Sequence, residues 1–238
     1  MHAIRWLAVL IGVAALFSQT LYAANQRYID LSYGEVKGDF STPITSQLNS
    51  VTAVIGQYST DYNTSVSFSY LDLNIDGLSN ETGIGDIMVN AGTSLKPTNN
   101  AFSVYPSLAI KLPTADDTRL LGTGEIDIGV YLTINHPCKI FICGVGLSYL
   151  IKGDPPGQDY NDIASVRLSG FKYVNKLGLG LTLQQETSLV DSQDDPLLFG
   201  LDAFYLFNAD SGLYTNIQTG LNDATPELAF RLGIIQWY

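Results

Sequence analysis

No run of 18 apolar residues occurs anywhere in the 238-residue chain, which excludes an ordinary transmembrane helix. Cations are scarce: 12 Lys and Arg stand against 23 Asp and Glu, a formal charge of −11. That balance excludes a nucleic-acid partner, because neutralising phosphates needs clustered positive charge. Two cysteines are too few for a disulfide scaffold, and neither sits in a CxxC spacing. Only 15% of residues are charged while 46% are hydrophobic, which excludes a disordered chain. The length fits one domain, or two small ones at most. What remains is a soluble β or α/β protein, or a membrane β-barrel.

The first segment points to export. His2 and Arg5 give a weakly basic start, Trp6–Phe17 an apolar core, and Ala23 and Ala24 a small-residue cleavage region. This is the pattern of a secretory signal peptide cut after Ala23, despite the less favoured Leu21 three positions before the cut. Removing residues 1–23 deletes Arg5 and no acid, so the mature charge becomes −12. The expected organisation is a leader over 1–23 and one β-domain over 24–238.

The mature chain alternates with a period of two. In Glu125–Ile134, Ile126, Ile128, Val130, Leu132 and Ile134 alternate with polar or small residues, which gives a strand with two unlike faces. Lys176–Glu186 repeats the pattern with Leu177, Leu179, Leu181 and Leu183. Twelve such segments follow one another: 27–37, 50–60, 64–74, 84–95, 101–112, 124–135, 140–151, 162–173, 176–186, 197–207, 212–221 and 227–238. Each is near the length a tilted strand needs to cross a bilayer. Short connectors such as Asp61–Asn63, Lys96–Asn100, His136–Lys139 and Asn208–Ser211 alternate with longer ones rich in Gly, Pro and Asp. The pattern predicts an all-β, antiparallel up-and-down transmembrane barrel of about 12 strands.

A soluble sandwich or closed barrel would show the same period, with the apolar face turned inward. Three features favour the membrane. The polar faces are small and weakly charged, as in Ser65, Ser67 and Ser69; aromatics end the apolar faces, as Phe141 and Tyr149 do. Finally, Phe230, Leu232, Ile234 and Tyr238 alternate up to the last residue, with Gln236 as the departure. That resembles the C-terminal assembly signal read by the barrel-assembly machinery of bacterial outer membranes.

Three stretches resemble the outer-membrane family of the MetA pathway of phenol degradation, whose members are often labelled transporter-like. They are Thr82–Ile87 (TGIGDI), Ala109–Ile128 (AIKLPTADDTRLLGTGEIDI) and Gly220–Gly233 (GLNDATPELAFRLG). Within the second, Lys111-Leu112-Pro113-Thr114 closes a strand and Gly122-Thr123-Gly124 leads into the next, over the C-terminal two-thirds of the mature chain. The resemblance implies an outer-membrane barrel that passes small or aromatic solutes.

The residues themselves offer little chemistry. His136 is the one histidine left after the leader, in an expected turn without a carboxylate beside it, so no enzyme activity is expected. TGIGDI lacks the Lys-Ser/Thr of a phosphate loop, and the loop acids lack chelating spacing, so no cofactor or metal is expected. Cys138 and Cys143 could form a disulfide across a turn, or stay reduced as small apolar residues.

Alternation turns Asp30, Asp86, Lys111, Glu125, Asp127, Arg167, Glu186, Asp202, Glu227 and Arg231 inward. Seven are acidic, so a water-filled lumen would favour cations or neutral solutes. The alternative is a salt-bridged plug in a non-conducting structural or adhesion barrel. The partners expected are a small-molecule solute, outer-membrane lipids and lipopolysaccharide, the assembly machinery, and no nucleic acid.

Overall fold

A computed structural model describes residues 26–39, 44–95, 102–190 and 193–238. The expected leader (1–23) and the expected turn Lys96–Asn100 lie outside these residues. The described chain forms thirteen strands: β1 (Gln26–Gly38), β2 (Ser46–Tyr58), β3 (Tyr62–Ile75), β4 (Glu81–Ile84), β5 (Ile87–Thr93), β6 (Ser103–Leu112), β7 (Asp127–Pro137), β8 (Ile142–Ile151), β9 (Ile163–Val174), β10 (Leu177–Glu186), β11 (Leu197–Leu206), β12 (Ser211–Gly220) and β13 (Leu228–Trp237). β4 and β5 share one neighbour, β3, and together make one interrupted stave, so the wall has twelve staves. β13 pairs antiparallel with β1 from Tyr28↔Trp237 to Lys37↔Leu228, which closes the sheet. A closed sheet leaves few orphan backbone groups, the condition for crossing hydrocarbon.

The pairing registers carry one apolar face around the outside without a slip. Ile128 lies opposite Ile110 and Ile151, Leu181 opposite Gly170 and Leu201, and Ile234 opposite Leu213 and Leu31. These residues are exposed: Leu181 keeps 53% of its surface, Leu31 51% and Ile234 48%. Among the described residues only Val66, Ala109 and Leu121 are buried hydrophobics. The apolar face is therefore turned to lipid, and no packed apolar core fills the interior.

Several bounds differ from the sequence expectation. The second strand begins at Ser46 rather than residue 50, because β1 and β2 pair in an unbroken register up to Gly38↔Ser46. The stave expected over 84–95 breaks at Gly85 and Asp86. Glu125 and Glu227 precede their strands instead of lying on them. His136, expected in a turn, belongs to β7 and faces outward opposite Cys143. Pro106 sits inside β6, where pairing with β5 has already stopped at Gly92↔Ser107, so its missing N–H disrupts little.

Candidate functional site

Two features of the interior follow from these registers: a polar latch at the end that carries the long connections, and a lumen wall faced with aromatic rings.

The latch begins at the broken stave. Asp86 Oδ1 accepts the backbone N–H groups of Thr114 and Ala115, both at 3.0 Å. Thr114 repairs the break, its hydroxyl accepting from Ile87 N at 3.0 Å and donating to Gly85 O at 3.2 Å. Lys111 Nζ lies 3.5 Å from Asp86 Oδ2 and 3.0 Å from Asp127 Oδ2, and donates to Thr123 Oγ1 at 2.7 Å. Asp127 also takes Lys152 Nζ at 2.5 Å and the Gly153 N–H at 3.0 Å. These charges are shielded: the Asp127 side chain is 6% exposed, and Lys111 and Lys152 are 12% and 13%. Buried charges persist only when paired and hydrogen-bonded, and each of these is.

This gives the KLPT and GTG stretches a physical meaning. They tie the connection 113–126 to the wall, while Asp127, three residues after GTG, ties the start of the connection 152–162. A side chain at Gly122 would stand 2.9 Å from the Asp86 carboxylate, and Gly124 turns with φ +75°, a conformation that favours glycine. The same connection lays Leu121 into the mouth against Gly83, while Arg119 Nε bonds Glu81 Oε2 at 2.7 Å. Beside that pair lies a hollow of about 180 Å³, lined by Leu73, Ile75, Leu78 and Leu120 together with Ser79, Thr118 and the Glu81–Arg119 pair itself. The third stretch works alike. Asn222 Nδ2 donates to Asp195 O at 2.7 Å, and the Thr225 hydroxyl folds against Gly220 where no Cβ fits.

Deeper in the lumen, rings lie over glycines. Tyr28 covers Gly56, Tyr214 covers Gly233, and Tyr131 covers Gly129. Phe171 covers Gly178 and Gly180, and the Phe204 ring comes within 2.6 Å of where a Cβ on Gly212 would stand. Each ring occupies the space its glycine leaves, so it lies along the wall. Phe171 also meets Tyr173 edge to face at 4.8 Å, and Phe204 meets Trp237 at 6.3 Å. The inner wall is thereby faced with aromatic rings.

The charged residues singled out from the sequence fall into separate groups. Asp86, Lys111 and Asp127 meet in the latch. Arg167 and Glu186 are joined through Gln184, whose Oε1 accepts from Arg167 Nε at 2.5 Å. They edge a lumen-side recess of about 240 Å³ with Tyr131 and Thr133. Asp202 accepts from Asn216 at 2.7 Å, and Asp30 from the Tyr214 hydroxyl at 2.9 Å. Arg231 lies opposite Gly34, four residues along β1 from Asp30, on the same inner face. Glu125 and Glu227 stand at the rim, off the strands. Cys138 and Cys143 are bonded, with Cα atoms 6.0 Å apart. Among the described residues no three His, Cys, Asp or Glu side chains could hold a metal ion together.

Sequence reasoning missed Lys152 and the aromatic set. Parity could have found the rings, since Tyr28 shares a face with Asp30 and Tyr214 with Asn216. It could not show that each ring lies down on a neighbouring glycine.

Solved structures with this architecture are outer-membrane proteins. The COG4313 outer membrane channel from Pseudomonas putida F1 superposes with a TM-score of 0.71 at 12% identity, over 92% of this chain and 97% of that one. The NanC porin gives 0.61 at 12% identity, over 87% and 98%. The CymD monoaromatic hydrocarbon channel gives 0.53 at 7% identity, over 92% and 89%. No curated protein matches the chain. Residues 22–238 match the family described as "Putative MetA-pathway of phenol degradation", well beyond the stretches whose motifs first resembled it. With that match over nearly its whole length, the chain belongs to this family of outer-membrane β-barrels.

Proposed function

We propose that the barrel conducts small apolar or aromatic solutes across the outer membrane. One observation carries this reading: the interior is lined by rings laid on glycines and is not filled by a packed core. Aromatic faces offer a passing ring many weak contacts and no deep trap. The leucine and isoleucine side chains of the hollow at the mouth are a place where such a solute could leave water. CymD, a structural relative, is a monoaromatic hydrocarbon channel, which agrees with this choice of solute. The structural relatives are channels and porins, which favours transport over an enzymatic role.

The test is uptake of a small monoaromatic such as toluene by cells with and without the protein, alongside current in planar bilayers. We expect faster uptake and measurable conductance. Neither would appear if the barrel were a plugged structural or adhesion element.

Within this reading Arg231 tunes the lumen field. Arg231→Ala should leave assembly intact and raise cation preference, because it removes a cation from an acid-rich lumen. A shift toward anions in reversal potential would contradict that placement.

The long connections are proposed to face outward and the short turns the periplasm, after export by the leader over 1–23. An epitope at Asp154–Gly157 should then be reached by antibody on intact cells, and one at Asn208–Ser211 should not. The opposite labelling would invert the barrel. Phe230, Leu232, Ile234 and Tyr238 are proposed as the stretch the assembly machinery reads. Tyr238 exchanges backbone hydrogen bonds with Arg27 at the closing seam, at 2.9 and 3.3 Å. Lipopolysaccharide is proposed to surround the acid-rich outer rim.

A further inference from the structure

The lipid-facing wall is not smooth. Across β9 to β12 it carries a depression of about 590 Å³, lined by apolar surface from Leu179, Leu181, Leu201 and Ile217. Gly170 forms part of its floor, and a Cβ added there would meet nothing within 4 Å. Ala203 and Thr215, both small, continue the hollow toward β12. At its turn-side edge stands Lys172, two residues before the end of β9, on the outward face opposite Leu179. A lysine among leucines on a lipid-facing wall is costly unless its amine reaches the headgroups. Its position near the strand end allows that. Its Nζ lies 5.9 Å from the centre of the Phe141 ring, on the turn pinned by the Cys138–Cys143 disulfide.

Positive charge prevails around this edge. The acids near it are Asp202, which lines the depression but accepts from Asn216, and Asp210 in the turn after β11. Lys139 and Lys176 occupy the neighbouring turns, and neither 136–144 nor 170–180 contains an acid. A net positive rim below an apolar hollow matches one kind of molecule in shape and charge. We infer that this depression holds a glycerophospholipid with a net anionic headgroup, its phosphate at Lys172 and an acyl chain over Gly170. The inference rests on the placement of the barrel in the membrane and is independent of whether the lumen conducts.

Native mass spectrometry of the intact barrel, titrated with phosphatidylglycerol or phosphatidylcholine, tests it. The wild type should retain one phosphatidylglycerol, with at least about fivefold preference, the worth of one lysine near a lipid surface. Lys172→Gln should abolish the preference and Lys172→Arg should keep it. Gly170→Leu, which fills open space and should fold, should lower retention of both lipids. Unchanged retention in Lys172→Gln and Gly170→Leu would overturn the inference. So would inorganic phosphate competing as well as the lipid, since the acyl groove would then do nothing. A dimer lost in Gly170→Leu without any retained lipid would assign the groove to a second copy and overturn it too. If Gly170→Leu failed to show heat-modifiable mobility, the Gln and Arg pair at Lys172 would still decide.

Discussion

Asp127→Ala should destabilise the barrel by about 3 kcal/mol or more, the cost typical of breaking a buried ion pair from one side. Asp127 holds Lys111 at 3.0 Å, Lys152 at 2.5 Å and the Gly153 N–H at 3.0 Å. Removing it strands the shielded Lys152 ammonium group and one backbone donor, and takes from Lys111 its closer carboxylate. Lys111 keeps Asp86 at 3.5 Å, but Lys152 has no second carboxylate in the latch. The connections 113–126 and 152–162 should therefore loosen from the wall. The measurement is the temperature at which heat-modifiable mobility is lost, with protease nicking of those connections as the local readout. Lys152→Met, which leaves Asp127 with Lys111, should cost less. Equal transition temperatures for the wild type and Asp127→Ala would show that the latch contributes nothing to stability.

The fold was legible because a membrane barrel writes its period into every strand. Leu177, Leu179, Leu181 and Leu183 alternate with Gly178, Gly180 and Thr182, and the observed register keeps that division around the ring. The latch was only half legible. Parity turned Lys111 and Asp127 inward, but no local rule says that Asp86 leaves the strand to hold Thr114 and Ala115. That break depends on a contact nearly thirty residues away in sequence. Lys152 was invisible for the same reason: it looks like a loop cation until the β8 register sets it beside Asp127. Glu125 and Glu227 failed in the other direction, since their alternation continued past the point where pairing ends.

Gly233→Val should sharply reduce passage of aromatic solutes while leaving the strand register unchanged. Gly233 faces the lumen on β13, and the Tyr214 ring from β12 lies where its Cβ would be. Backbone cannot yield at that point, because Gly233 is paired with Tyr214 on one side and Ser32 on the other. The ring must therefore lift from the wall into the lumen, which also breaks its 2.9 Å hydrogen bond to Asp30. Overpacking of this kind costs roughly 1–3 kcal/mol, small enough for the barrel still to assemble. Obstruction and general damage are separated by a second change. Tyr214→Ser removes the ring, so Gly233→Val with Tyr214→Ser should recover conductance and toluene uptake toward the wild-type level. If the double variant stays as impaired as Gly233→Val, the lifted ring is not the cause. If Gly233→Val conducts normally, the rings laid on glycines do not set the free width of the lumen.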